Sequence, residues 1–74
     1  MKIREYRVIK CDGVTITVCK DCKKYRSTYT VGVYSEYFNW SITCPDRNSA
    51  KEELIKKLRL YSNLKITEII RGLF

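Results

Sequence analysis

The most regular alternation of apolar and polar positions runs from Val14 to Lys20. There Val14, Ile16 and Val18 interleave with Thr15, Thr17 and Cys19. A period of two puts the two sets on opposite faces of a β-strand. A weaker alternation over 2–11 predicts a strand before it. Asp12-Gly13 between the two predicts a tight hairpin, because a type I′ turn needs positive φ at both central residues. A two-residue loop there sets Cys11 opposite Val14, Ile9 opposite Ile16 and Arg7 opposite Val18. Arginine is an awkward partner for a core valine, which marks the first strand as a sheet edge.

Residues 21–24 read as a polar turn, 25–34 as a third strand, Ser35-Glu36 as a turn and 37–44 as a fourth strand. Pairing Tyr34 with Tyr37 sets Val33 opposite Phe38, Val31 opposite Trp40 and Tyr29 opposite Ile42. Those residues and Cys44 then share one face, with Phe38 and Trp40 in the core. Gly32 falls on the other face, where a missing side chain implies a bulge or a close neighbour. Pro45 closes the fourth strand.

Asn48 or Ser49 then caps a helix, and Ser49-Ala50-Lys51-Glu52 fits a capping box. The helix is expected to reach about Tyr61, with Ala50, Leu54, Ile55, Leu58 and Tyr61 as its apolar stripe. Lys51, Lys56, Lys57 and Arg59 form its solvated face, partly paired with Glu52 and Glu53. Residues 64–71 are a strand or a short helix, and their β-branched content favours strand. The expected class is α+β: one small domain over 1–74, a four-stranded antiparallel β-meander with one α-helix on one face and a short C-terminal strand or helix.

Composition adds charge and removes several chemistries. The 74 residues carry 15 Lys and Arg against 8 Asp and Glu, a formal charge of +7. That excess favours a polyanionic partner such as nucleic acid. No apolar run reaches the roughly 18 residues that would cross a membrane. The first ten residues, MKIREYRVIK, contain no signal-peptide core, so the expected location is intracellular, in the cytoplasm. With no histidine, no Gly-rich phosphate loop and scattered carboxylates, no catalytic constellation is visible, and a non-enzymatic role is expected. A core this small would gain from a homodimer, a metal or a disulfide.

Cys19-Lys20-Asp21-Cys22 is half of a zinc-knuckle spacing, placed here at the second turn. Cys11 lies at the other end of its strand, more than ~20 Å away at ~3.3 Å per residue. Cys44 ends the fourth strand on the Cys19–Cys22 side. Cys19, Cys22 and Cys44 are therefore the metal candidates, for zinc completed by Asp21, Asp46 or water. The alternatives are a disulfide from Cys44 to Cys19 or Cys22, or free thiols acting as small hydrophobes.

Lys20, Lys23, Lys24 and Arg26 cluster at the second turn, and Arg47 should lie at the same end. A basic tip of this kind can grip phosphates. The outer sheet face carries Tyr6, Val8, Thr15, Thr17, Thr28, Thr30, Tyr34, Tyr37, Asn39, Ser41 and Thr43. On it Tyr34 and Tyr37 are secondary candidates for stacking bases. The four-strand-then-helix order resembles the single-stranded-DNA-binding transcriptional coactivator fold. It also resembles small β-rich antitoxins and small phage or archaeal-virus proteins that inhibit host defences. None of their motifs is present, so no residue role carries over. The leading expectation is a basic nucleic-acid-binding domain, of a viral or mobile-element kind. The alternative is a module that binds a host protein through the outer face or an edge strand.

Overall fold

The computed structural model describes residues 3–22, 26–61 and 64–74. Four strands, β1 (Ile3–Cys11), β2 (Val14–Cys22), β3 (Ser27–Tyr34) and β4 (Asn39–Cys44), precede two helices, α1 (Arg47–Leu58) and α2 (Ile66–Leu73). The strands form one antiparallel meander in the order β1-β2-β3-β4. The α+β class and the four-strand sheet are as the sequence implies. The C-terminal element, open in the sequence between strand and short helix with strand favoured, is a second helix, α2. No described helix is long and apolar enough to cross a membrane.

The first hairpin follows its turn residues. Asp12 and Gly13 both take positive φ, 49° and 78°. Cys11 pairs with Val14, Ile9 with Ile16 and Arg7 with Val18, and β1 is the sheet edge. The second hairpin differs from expectation by one loop residue. Ser35 and Phe38 close the turn through Ser35 N–H donating to the Phe38 carbonyl at 2.7 Å, so Glu36-Tyr37 is the tip. Tyr34 then pairs with Asn39, Val33 with Trp40, Val31 with Ile42 and Tyr29 with Cys44. Moving a two-residue loop by one residue shifts each partner by two, which leaves every side chain on the expected face. It does move Phe38 into the turn. Phe38 is 37% exposed and Trp40 half-buried, so the aromatic pair borders the core and does not fill it.

The inner sheet face supplies Val14, Ile16, Val18, Val31 and Val33 to the core. Helix α1 lies over β3 and β4 and adds Ala50, Leu54 and Leu58, the predicted stripe. Ile55 and Tyr61 are half-buried at its border. The cap is Asp46, not Asn48 or Ser49. Its carboxylate accepts the Ser49 backbone N–H at 2.7 Å and the Ser49 hydroxyl at 3.1 Å. An aspartate already in extended conformation satisfies a first-turn donor and favours the positive helix end, so the helix starts earlier.

Helix α2 packs on β1 and contributes Ile69, Ile70 and Leu73. Ile66, Ile69, Ile70 and Leu73 stand at i, i+3, i+4 and i+7, a helical stripe that outweighs the β-branched composition behind the strand reading. Both helices cover the inner face. The outer face, with Tyr6 62% exposed, has no covering element among the described residues.

Candidate functional site

The end of the sheet where α1 begins and α2 finishes gathers polar side chains from four elements. Arg7 and Glu5 come from β1, Lys20 from β2, Tyr29 from β3 and Arg47 from the first turn of α1. With Val18, Leu73 and Phe74 they line a recess of about 220 Å³. Strand register explains the assembly, because Glu5, Lys20, Tyr29 and Cys44 are successive cross-strand neighbours on the inner face. The Lys20 ammonium stands 5.8 Å from the Tyr29 ring, and its pKa is raised, chiefly by Tyr29 and then by Cys22. Lys20 therefore stays charged through the neutral range.

Arg47 is tied to the chain's other helix. Its Nη2 donates to the Phe74 carbonyl at 3.1 Å, and the guanidinium stands 5.8 Å from the Phe74 ring. A cation suits the negative C-terminal end of α2 but opposes the positive N-terminal end of α1. The N-cap carboxylate of Asp46 supplies the negative charge at that end, and the first turn itself carries no acidic side chain.

Beyond Arg47 the recess opens into a groove of about 770 Å³ between the helices. Helix α1 lines it with Arg47, Lys51, Ile55 and Arg59, a row at four-residue spacing. From the α2 side come Ile66, Thr67, Ile70, Arg71 and Phe74. Four cations rim an apolar floor, with no acidic side chain among the lining residues. Lys51 and Arg59, solvated-face residues by helical spacing, line this groove, and so does Arg71, which has no role in the sequence pattern. The row at 47, 51, 55 and 59 was the available signal, but its opposite wall exists only once α2 is a helix. Lys57, also expected to be solvated, is half-buried with its ammonium 5.0 Å from the Phe38 ring and 5.2 Å from Trp40.

The other sequence-predicted residues scatter. Arg26 is exposed just before β3, at the same end of the sheet as Lys20 and Arg47. Lys23 and Lys24 lie outside the described residues. Tyr34 sits at the far end of β3, on the outer face. Its ring folds back over Gly32, where an added Cβ would come within 2.6 Å of it. This is the close neighbour the glycine implied. Tyr37, expected on the outer face, is instead at the hairpin tip and 92% exposed. The two tyrosines are thus at the opposite end of the sheet from the basic cluster.

The cysteines are not gathered into one site. β2 continues through Cys22, so the CxxC lies within a strand and not at a turn. Residues three apart in a strand face opposite ways. Cys19 faces outward, next to Tyr6 and Thr30, and Cys22 lies on the inner side. Cys44 is buried under α1, and burial pushes its thiol pKa up, with Glu53 and Asp46 adding to the shift. All four thiols are free, and no described group of three or more Cys, Asp or Glu side chains is placed to hold a metal. Compared with known proteins, the chain matches no family model, no curated protein and no solved structure.

Proposed function

We propose that the protein is a small non-enzymatic nucleic-acid-binding domain that holds the phosphate backbone at the basic end of its sheet. The observation that carries this reading is the recess itself. It brings Arg7, Lys20 and Arg47 together from three elements around a single acidic side chain, Glu5. Arg26 extends the cluster, and Lys23 and Lys24 lie in the segment joining Lys20 to Arg26. Tyr37 remains available for stacking, although the length of the sheet separates it from the phosphate contacts. Tyr34 is less so, because its ring is committed to Gly32.

Electrophoretic-shift titrations with single- and double-stranded DNA and RNA test this. About four phosphate contacts should weaken duplex binding roughly 100-fold between about 50 and 200 mM salt. Replacing Lys20, Lys23, Lys24 and Arg26 together by alanine should abolish the shift at moderate salt. No binding at low salt, or full binding by that variant, refutes the proposal.

The protein-binding alternative has one observation of its own: edge strand β1 presents Tyr6 and Val8 on an uncovered sheet face. A pull-down from nuclease-treated lysate separates the readings. A protein partner retained through the edge and lost in Val8→Lys supports this alternative.

A further inference from the structure

The groove between α1 and α2 is a surface different from the one proposed to hold phosphates, and its chemistry points to a different ligand. Its floor is aliphatic: Ile55, Ile66 and Ile70, with Phe74 at one end. Ile55 and Ile66 are half-buried, so the two helices leave apolar surface uncovered. Proteins that bind bases along a strand do so on aromatic platforms, and three branched aliphatic side chains offer none. They suit the leucine-type knobs of a helix.

The rim selects among helices. Arg47, Lys51 and Arg59 stand along one wall and Arg71 on the other, with no acidic side chain in the lining. A helix whose apolar stripe is flanked by Glu or Asp matches both parts at once, and a basic helix is repelled. From Arg47 to Arg59 the wall spans about 18 Å, or roughly three helical turns. We propose that this groove binds an acidic amphipathic helix from a partner protein, which would lie as a third helix beside α1 and α2. The proposal does not rest on the nucleic-acid reading. It meets that reading at Arg47 and Phe74, which line both the recess and the groove. A bound acidic helix would therefore compete with phosphates at Arg47.

The probe is a synthetic helix of about 16 residues, long enough to be marginally helical alone, with leucines on one stripe and glutamates on both flanks. Controls have the same composition scrambled, or lysine in place of every glutamate. Binding is followed by methyl NMR of the full chain, reading the Ile55, Ile66 and Ile70 resonances. The expected result is saturable shifts of those methyls with the acidic helix and none with either control. Arg59→Glu combined with Arg71→Glu should weaken binding at least about tenfold. Both residues are exposed, so the melting temperature should hold. Three results overturn the proposal: no methyl shift at about 1 mM peptide, equal binding by the scrambled control, or an oligothymidylate shifting these methyls where the peptide does not. Loss of oligonucleotide binding in the Lys20, Lys23, Lys24 and Arg26 variant, with the peptide still bound, shows that the two sites are separate.

Discussion

The two helices cover the same face of the same sheet, but they are held there differently. α1 has twelve residues, starts at an aspartate that engages its first turn, and lies over β3 and β4. α2 has eight residues, starts at Lys65 with no side-chain capping bond, and packs on edge strand β1. Helices shorter than about 12 residues are marginal alone. α2 therefore exists because Ile69, Ile70 and Leu73 are buried, whereas α1 has local signals as well as a buried stripe. Yet α2 completes both basic surfaces: Phe74 and Leu73 wall the recess, and Ile66, Ile70 and Arg71 wall the groove. The charged surface thus depends on the element with the weaker local encoding.

Truncating the buried stripe of each helix should expose the difference most strongly. Leu54 is fully buried and Ile70 nearly so. Leu54→Ala should cost about 3 kcal/mol and lower the urea midpoint of the whole chain. Ile70→Ala should cost less globally, about 2 kcal/mol, and act first on α2. The discriminating measurement is native-state hydrogen exchange with thiol labelling. Cys11 borders the pocket formed with Leu64, Glu68 and Ile69, whereas Cys44 is buried under α1. In Ile70→Ala, α2 amides and Cys11 should become more reactive while Cys44 stays protected. Cys44 is slow for a second reason: its raised pKa reduces the reactive thiolate. Equal acceleration at both thiols would make the helices one cooperative unit and erase the contrast.

The same contrast explains what could be read from the sequence. The faces of the sheet were legible because side-chain parity survives a two-residue register change. The register of β3 with β4 was not, because loops at 35–36 and 36–37 bury the same residues. Asp12-Gly13 fixed the first hairpin because its geometry needs positive φ at both positions. α1 is legible as a stripe, but its start is not, because the Ser49–Glu52 spacing fits a capping box while the cap is Asp46. α2 stayed open between strand and helix, because its β-branched content favours strand while the spacing of Ile66, Ile69, Ile70 and Leu73 favours helix. Of the basic cluster, Lys20, Arg26 and Arg47 were legible from strand ends, and Arg7 from its pairing with Val18. The walls supplied by Arg71 and Phe74 were not, since their place depends on α2 folding back onto β1. The CxxC is split between faces because β2 runs two residues into the expected turn.

Capping should reverse sign between the helices. Asp46→Ala removes the acceptor for the Ser49 N–H and should cost about 1 kcal/mol. Lys65→Ser places a capping hydroxyl three residues before Glu68, which completes a capping box at the start of α2, and it removes a cation from a positive helix end. It should stabilise by about 0.5 kcal/mol. Denaturation midpoints give both values. A loss on Lys65→Ser comparable with that of Asp46→Ala would mean that α2 is not limited by its open N-terminus.

The smallest effect is expected where α2 touches the sheet edge. Gly72 lies inside α2, and glycine there disfavours helix by about 1 kcal/mol relative to alanine. An added Cβ would sit 3.0 Å from the Ile9 Cδ1. That methyl is the far end of a half-buried side chain on an edge strand, so it has room to move by a fraction of an ångström. Relief of the helix penalty and displacement of Ile9 oppose each other. Gly72→Ala should therefore change stability by no more than about 0.5 kcal/mol. The helical gain should appear instead as slower exchange of α2 amides. A loss above about 1.5 kcal/mol would mean that Ile9 cannot move, and that α2 is set against β1 as rigidly as α1 is against β3.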